Sequence, residues 1–171
     1  GGQFVARLTL KRAGTFIYHT HLNDRKQLVG GMYGPLVVLE PGQRWDPTRD
    51  FVFIGGQNRY RDSSIVVNGG HEEPPITMRV GESIRLRMIE LAVANSITYE
   101  IRRDSTLAEW RAIAKDGYDL PPALATVRPA RQRVGLGETY DAMFTPREAG
   151  RYEFRGVRGP RLRYKRTIIV E

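Results

Sequence analysis

Residues 8–21, LTLKRAGTFIYHTH, and residues 144–157, FTPREAGRYEFRGV, carry one pattern twice. Thr9 matches Thr145, Ala13-Gly14 match Ala149-Gly150, Phe16 matches Tyr152, and Tyr18 matches Phe154. Each copy runs into a final β-type segment ending in an acidic residue, GPLVVLE (34–40) and YKRTIIVE (164–171). A repeated strand–turn–strand ending implies two copies of one β-unit, and this constrains the fold more than any other feature of the chain. The second copy is preceded by roughly 95 residues from Asp50 onward, close to the roughly 100 of a β-sandwich domain, whereas the first has only seven ahead of it. The expected organisation is therefore the closing strands of a truncated domain in residues 1–41, a linker in 42–50 (GQRWDPTRD), and a complete domain in 51–171.

Short β-branched and aromatic runs agree with this. QFVARLTL, TFIYHTHL, DFVFIGG, ITMRV, SIRLRMIEL, ITYEIRR, RAIAK, TYDAMFTP, RYEFRGV and RTIIVE read as strands, several with strict alternation. Clusters such as GGMYGP, NGGHEEPP and DGYDLPP separate them, and KDG at 115–117 reads as a tight hairpin turn. The pattern predicts an all-β sandwich or barrel, with a helix of one or two turns at most, from Asp24 to Val29.

Composition excludes several chemistries. The chain has no cysteine, so disulfides, thiolate zinc sites, iron–sulfur clusters, a cysteine nucleophile and a blue-copper site with its thiolate ligand are all ruled out. Net charge is +8, and from Arg128 onward eleven Lys/Arg face five Asp/Glu. These arginines are scattered singly along strand-like segments, which reads as a solvated basic face with no nucleic-acid partner. No apolar run is long enough for a membrane-spanning helix, and no targeting leader is visible. Ser63, Ser64, Ser83, Ser96 and Ser105 lack the Gly-x-Ser-x-Gly setting of a hydrolase nucleophile. GGQNRY and VGLGET lack the Lys-Ser/Thr ending of a phosphate loop.

The candidate chemistry lies in His19-Thr20-His21. On a strand, positions 19 and 21 share a face and Thr20 takes the other, so two imidazoles can converge on one metal or serve one metal each of a close pair. The bland alternative is a half-buried pair bonded to backbone or carboxylate. The repeat weighs against it: the second copy has Arg155-Gly156-Val157 at the same place, so the strand can be built without histidines. His71, in NGGHEEPP, is either a third ligand or a solvated loop residue. Asp24 and Gln27 are candidates for the shell behind the ligands, or caps of the short helix.

The stretch AGTFIYHTHLNDRKQLVGGMYGPLVVLEPG (13–42) resembles the second His-x-His segment of multicopper oxidases of the laccase-like bacterial branch. Residues 67–91 and 110–150 resemble the plastocyanin-like domain that follows it in that family. The resemblance implies a cupredoxin-like Greek-key β-sandwich and copper as cofactor. His19 and His21 would each bind one copper of the type 3 pair within a trinuclear cluster that reduces dioxygen with electrons from an organic or metal-ion reductant. It also implies an exported or periplasmic setting. The departures are as informative. The cluster takes eight histidines from four His-x-His motifs, and this chain has one such motif; the upstream His-Trp-His-Gly is missing. The type 1 copper motif would have Cys where Thr20 stands, and Met32 is at the wrong offset for an axial ligand. The expectation is an oxidase fragment that does not turn over alone. The remainder of the oxidase, or another subunit, would supply the other histidines, and oligomerisation through uncovered strands is expected. The alternative is a stand-alone copper- or zinc-binding, or structural, β-domain that associates with a partner chain.

Overall fold

The computed structural model describes residues 2–57, 65–93 and 96–171; Ser63 and Ser64 lie outside them. The chain begins with β1 (Gly14–His19), α1 (Asp24–Val29) and β2 (Tyr33–Val38). There follow β3 (Asp50–Gln57), β4 (Ile65–Val67), β5 (Glu72–Met78), β6 (Ile84–Glu90), β7 (Ser96–Arg103) and β8 (Thr106–Leu107). Next come β9 (Glu109–Lys115), β10 (Tyr118–Asp119), β11 (Val127–Pro129) and β12 (Arg131–Gly135). The last three strands are β13 (Thr139–Phe144), β14 (Gly150–Arg158) and β15 (Arg161–Val170).

From β3 onward the strands form two sheets. One runs β10-β9-β13-β6-β3-β4 with β11 also on β9; the other runs β12-β7-β14-β15-β5 with β8 also on β7. The pairs β3–β6 and β15–β5 are parallel, and the other strand pairs are antiparallel. Alternation explains the burial: Ile84, Leu86 and Met88 of β6, and Tyr152 and Phe154 of β14, point between the sheets and are buried. There the Phe154 ring packs at a tilt against Phe53 (4.2 Å between centroids) and stacks on Tyr99 (5.4 Å). Each such buried side chain contributes roughly 1.5–3 kcal/mol of apolar burial. This is the all-β sandwich the sequence implies. Asp116 and Gly117, both with positive φ, make the two-residue turn read from KDG, pairing Lys115 with Tyr118. Among the described residues no helix is long and apolar enough to cross a membrane.

Two readings of the sequence are corrected. QFVARLTL (3–10) forms no strand, and Phe4, Val5, Leu8 and Leu10 are exposed; the alternation is there, but no described strand pairs with it. Conversely β5 starts at Glu72, earlier than ITMRV suggests, and runs through Pro74 and Pro75. Proline is tolerated because β5 is an edge strand, and the register on β15 shifts between Arg166 and Ile168, opposite the proline pair.

β1 and β2 form a separate two-stranded sheet whose register repeats that of β14 and β15. Gly14 faces Val38 as Gly150 faces Val170, and Phe16 faces Leu36 as Tyr152 faces Ile168. Gly14 and Gly150 share an unusual backbone conformation, φ +151° and +142°. The sequence repeat is thus a structural one. Its two copies differ in what flanks them. β14 pairs with β7 and β15 with β5, whereas the outer edges of β1 and β2 pair with no described strand.

The hairpin docks on the seven-stranded sheet through polar groups. Thr15 is buried, and its hydroxyl donates to Asp141 Oδ2 (2.8 Å) and accepts from Arg87 Nη1 (2.7 Å). Arg87 forks onto both oxygens of Asp50 at 2.7 Å, and Arg85 holds Asp141 at 2.6 Å. The Thr139 hydroxyl donates to the Thr15 carbonyl (3.0 Å). Two arginines and two aspartates thus neutralise one another. Beside them Gly14 lies on Gly117, the Phe16 ring lies over Gly117, and the Arg12 guanidinium sits 3.3 Å from the centre of the Tyr118 ring.

Candidate metal-binding histidines

Thr15, Ile17 and His19 share one face of β1, and cross-strand pairing puts Tyr33 beside His19 on that face. It is the face turned to the seven-stranded sheet: Thr15 meets Asp141, and the Tyr33 phenol lies where a side chain on Gly56 would be. His19 and His21 project from its outer end and are both exposed. Their ring centroids are 5.0 Å apart with planes inclined by 33°. That separation suits two imidazoles sharing one ion at bonds of roughly 2 Å, or giving one nitrogen each to two ions about 3.5–4 Å apart.

His19 Nδ1 lies 2.8 Å from the Thr20 carbonyl oxygen. A carbonyl only accepts, so Nδ1 carries the hydrogen and the Nε2 lone pair is free for a ligand. His21 makes no hydrogen bond to a described residue. Thr20, on the opposite face, donates its hydroxyl to Gln27 Oε1 and its N–H to Met32 O (3.2 Å). Gln27 therefore stands behind the histidine pair. Asp24 accepts the Arg25 N–H (2.7 Å) in the first turn of α1 and touches neither histidine. His71 is exposed on the six-stranded sheet, its Nδ1–H donated to Arg163 O (2.8 Å). It does not join the pair: among the described residues no three His, Cys, Asp or Glu side chains come together as a metal site. The two imidazoles fit copper or zinc as part of a ligand set that needs further donors.

The fold also buries a titratable group away from the histidines. Glu90 is fully buried at the end of β6, with Oε1 accepting the Ala92 N–H (2.5 Å) and Oε2 left without a hydrogen bond among the described residues. Burial pushes its carboxyl up to about 8, while the Ala92 N–H and Arg158 pull the other way. The signal was available: Ile84, Leu86, Met88 and Glu90 alternate, so Glu90 follows the core face inward. Gly55 makes room for it and Gly56, next in β3, makes room for Tyr33 on the other face. Burial, and then the Glu90 carboxyl, raise the Tyr33 phenol above its ordinary value.

No protein-family model matches the chain, and no curated protein matches it. Solved structures do. A blue copper oxidase from Nitrosomonas europaea superimposes with a TM-score of 0.72 at 22% identity, covering 94% of this chain and 57% of that one. A multicopper oxidase from Pseudomonas thermotolerans gives 0.69 at 24%, covering 94% and 42%. A copper nitrite reductase from Nitrosomonas europaea gives 0.71 at 16%, covering 94% and 63%. The fold is therefore cupredoxin-like, of the kind found in multicopper oxidases and laccases. At these identities the likeness is one of fold, and the chain spans less than two thirds of the length of these three proteins.

Proposed function

We propose that this chain is part of a laccase-like, copper-dependent oxidase, in which His19 and His21 give one imidazole each to the two neighbouring coppers of a type 3 site. Residues 1–41 are the closing strands of the copper-binding domain, 42–50 the linker, and 51–171 a copper-free sandwich that carries the hairpin. The observation that carries this reading is the paired imidazoles, 5.0 Å apart, on a hairpin whose internal copy has Arg155 and Val157 instead. The open edges of β1 and β2, where β14 and β15 have neighbours, favour completion by strands that also bring the remaining histidines. Bound copper would supply the one-electron chemistry by which dioxygen is reduced at the expense of an organic or metal-ion reductant. The chain's own residues would hold the ions: His19 offers Nε2 with its hydrogen fixed on Nδ1, His21 would supply the second imidazole, and the Thr15–Asp141–Arg87 cluster fixes the hairpin beneath them.

Isothermal titration of the chain with Cu(II) tests the reading. Binding should weaken in His19→Ala and in His21→Ala and be lost when both are replaced, and the copper-loaded chain should show no sustained oxidation of a chromogenic phenol. Copper binding that survives both substitutions, or steady turnover by this chain alone, would refute it.

A further inference from the structure

We infer that Gln27 is a positioning residue, which acts through Thr20 to hold His19 in the tautomer that leaves Nε2 open to a metal. The effect on metal affinity rests on the copper reading above; the effect on the tautomer does not.

Thr20 sits one residue beyond the end of β1, where strand pairing no longer fixes the peptide. Its three polar groups are nonetheless all engaged. The N–H goes to Met32 O, the hydroxyl to Gln27 Oε1, and the carbonyl receives the His19 Nδ1–H. Gln27 is itself fixed from two sides: its N–H donates to Asn23 O (3.1 Å) within α1, and its carbonyl accepts the Met32 N–H (3.0 Å). Thr20, Gln27 and Met32 thus form a closed triangle of hydrogen bonds, with Gln27 in α1 and Met32 just ahead of β2. The one group of Thr20 pointing out of that triangle is its carbonyl, and it meets His19. In water a neutral imidazole prefers the tautomer with hydrogen on Nε2, which would block that nitrogen as a ligand. A carbonyl held at 2.8 Å from Nδ1 reverses the preference. His21 has no equivalent contact, so it serves as an internal control.

The test is a long-range ¹⁵N–¹H correlation spectrum of the metal-free chain, at a pH where both rings are neutral. His19 should be in the Nδ1–H form. In Gln27→Leu it should move toward the Nε2–H form while His21 is unchanged, and Thr20→Val should do the same. Gln27→Glu keeps the acceptor oxygen and should retain the wild-type form. Adding Gln27→Leu to Thr20→Val should have no further effect, because both cut the same chain of contacts. With Cu(II) as probe, Gln27→Leu should bind roughly 10–100-fold more weakly than wild type, the range usual for loss of a group behind a ligand. A His19 tautomer unchanged in both Gln27→Leu and Thr20→Val, with the β3–β15 amide spectrum intact, would overturn the inference. Wild-type protein that shows the Nδ1–H form but no histidine-dependent Cu(II) binding would leave the clamp standing and remove the copper reading.

Discussion

Replacing Glu90 by Gln should remove a pH dependence of stability that can be worked out from the fold. In the unfolded chain this carboxyl titrates near its ordinary value of 4.5, whereas between β6 and β3 burial pushes it up to about 8. Tyr99 and Tyr33 add no positive charge, and Arg158 only partly offsets the burial. The sign follows directly. Below about pH 4.5 both states hold the proton and the carboxyl contributes no slope. Between there and about 8 the unfolded chain has released the proton and the folded chain keeps it, so stability falls as pH rises. At about 1.4 kcal/mol per pH unit, the loss across this window is on the order of 5 kcal/mol. Glutamine keeps an oxygen for the Ala92 N–H and never ionises. Urea unfolding of both proteins at several pH values from 5 to 8 should give midpoints that are close at the acid end and diverge steadily in favour of Glu90→Gln. Taking the difference between the two proteins cancels every other titrating group. Parallel stability curves would show that Glu90 ionises as an ordinary carboxylate, and would refute the account.

Two further substitutions test the joint beneath the histidines. Arg87→Met should lower urea stability by roughly 3–5 kcal/mol, because the Asp50 carboxylate loses both of its bonds to the guanidinium in a largely buried setting; a change under about 1 kcal/mol would contradict this. Gly14→Ala should cost about 1–3 kcal/mol by thermal unfolding, since φ is +151° and the new methyl would lie 2.6 Å from the Gly117 carbonyl oxygen. An unchanged melting temperature would count against it.

Much of the architecture was legible in the sequence, for identifiable reasons. The repeat gave two hairpins of equal register because Ala-Gly and the alternating aromatics appear at the same offsets in both. The helix from Asp24 to Val29 and the turn at Asp116-Gly117 were local enough to be read from a few residues. QFVARLTL misled because alternation reports a face that can be buried, not whether a neighbouring strand exists to bury it. ITMRV stops short of the true start of β5 because Pro74 and Pro75 argue against a central strand, and edge position is a property of the sheet. For the site, period-two geometry placed His19 and His21 together on one face. Proximity alone points to Gln27; its hydrogen bond to Thr20 depends on the path of the chain around α1. The parts wholly missed, Tyr33 beside His19 and the buried Glu90, depend on which strand lies against which.

The cluster of Thr15, Asp50, Arg85, Arg87 and Asp141 also bears on exchange between related proteins. A joint made of apolar surface tolerates many partners, since any greasy patch of fair shape will adhere. A joint of neutralised charges accepts only a counterpart that presents a hydroxyl at one point and leaves no carboxylate or guanidinium over. Chimeras that transplant the hairpin onto another sandwich should therefore assemble only when the hairpin keeps Thr15 and the receiving sandwich carries the counterparts of Asp50, Arg85, Arg87 and Asp141. In natural recombination the same constraint would keep this hairpin and its sandwich inherited together.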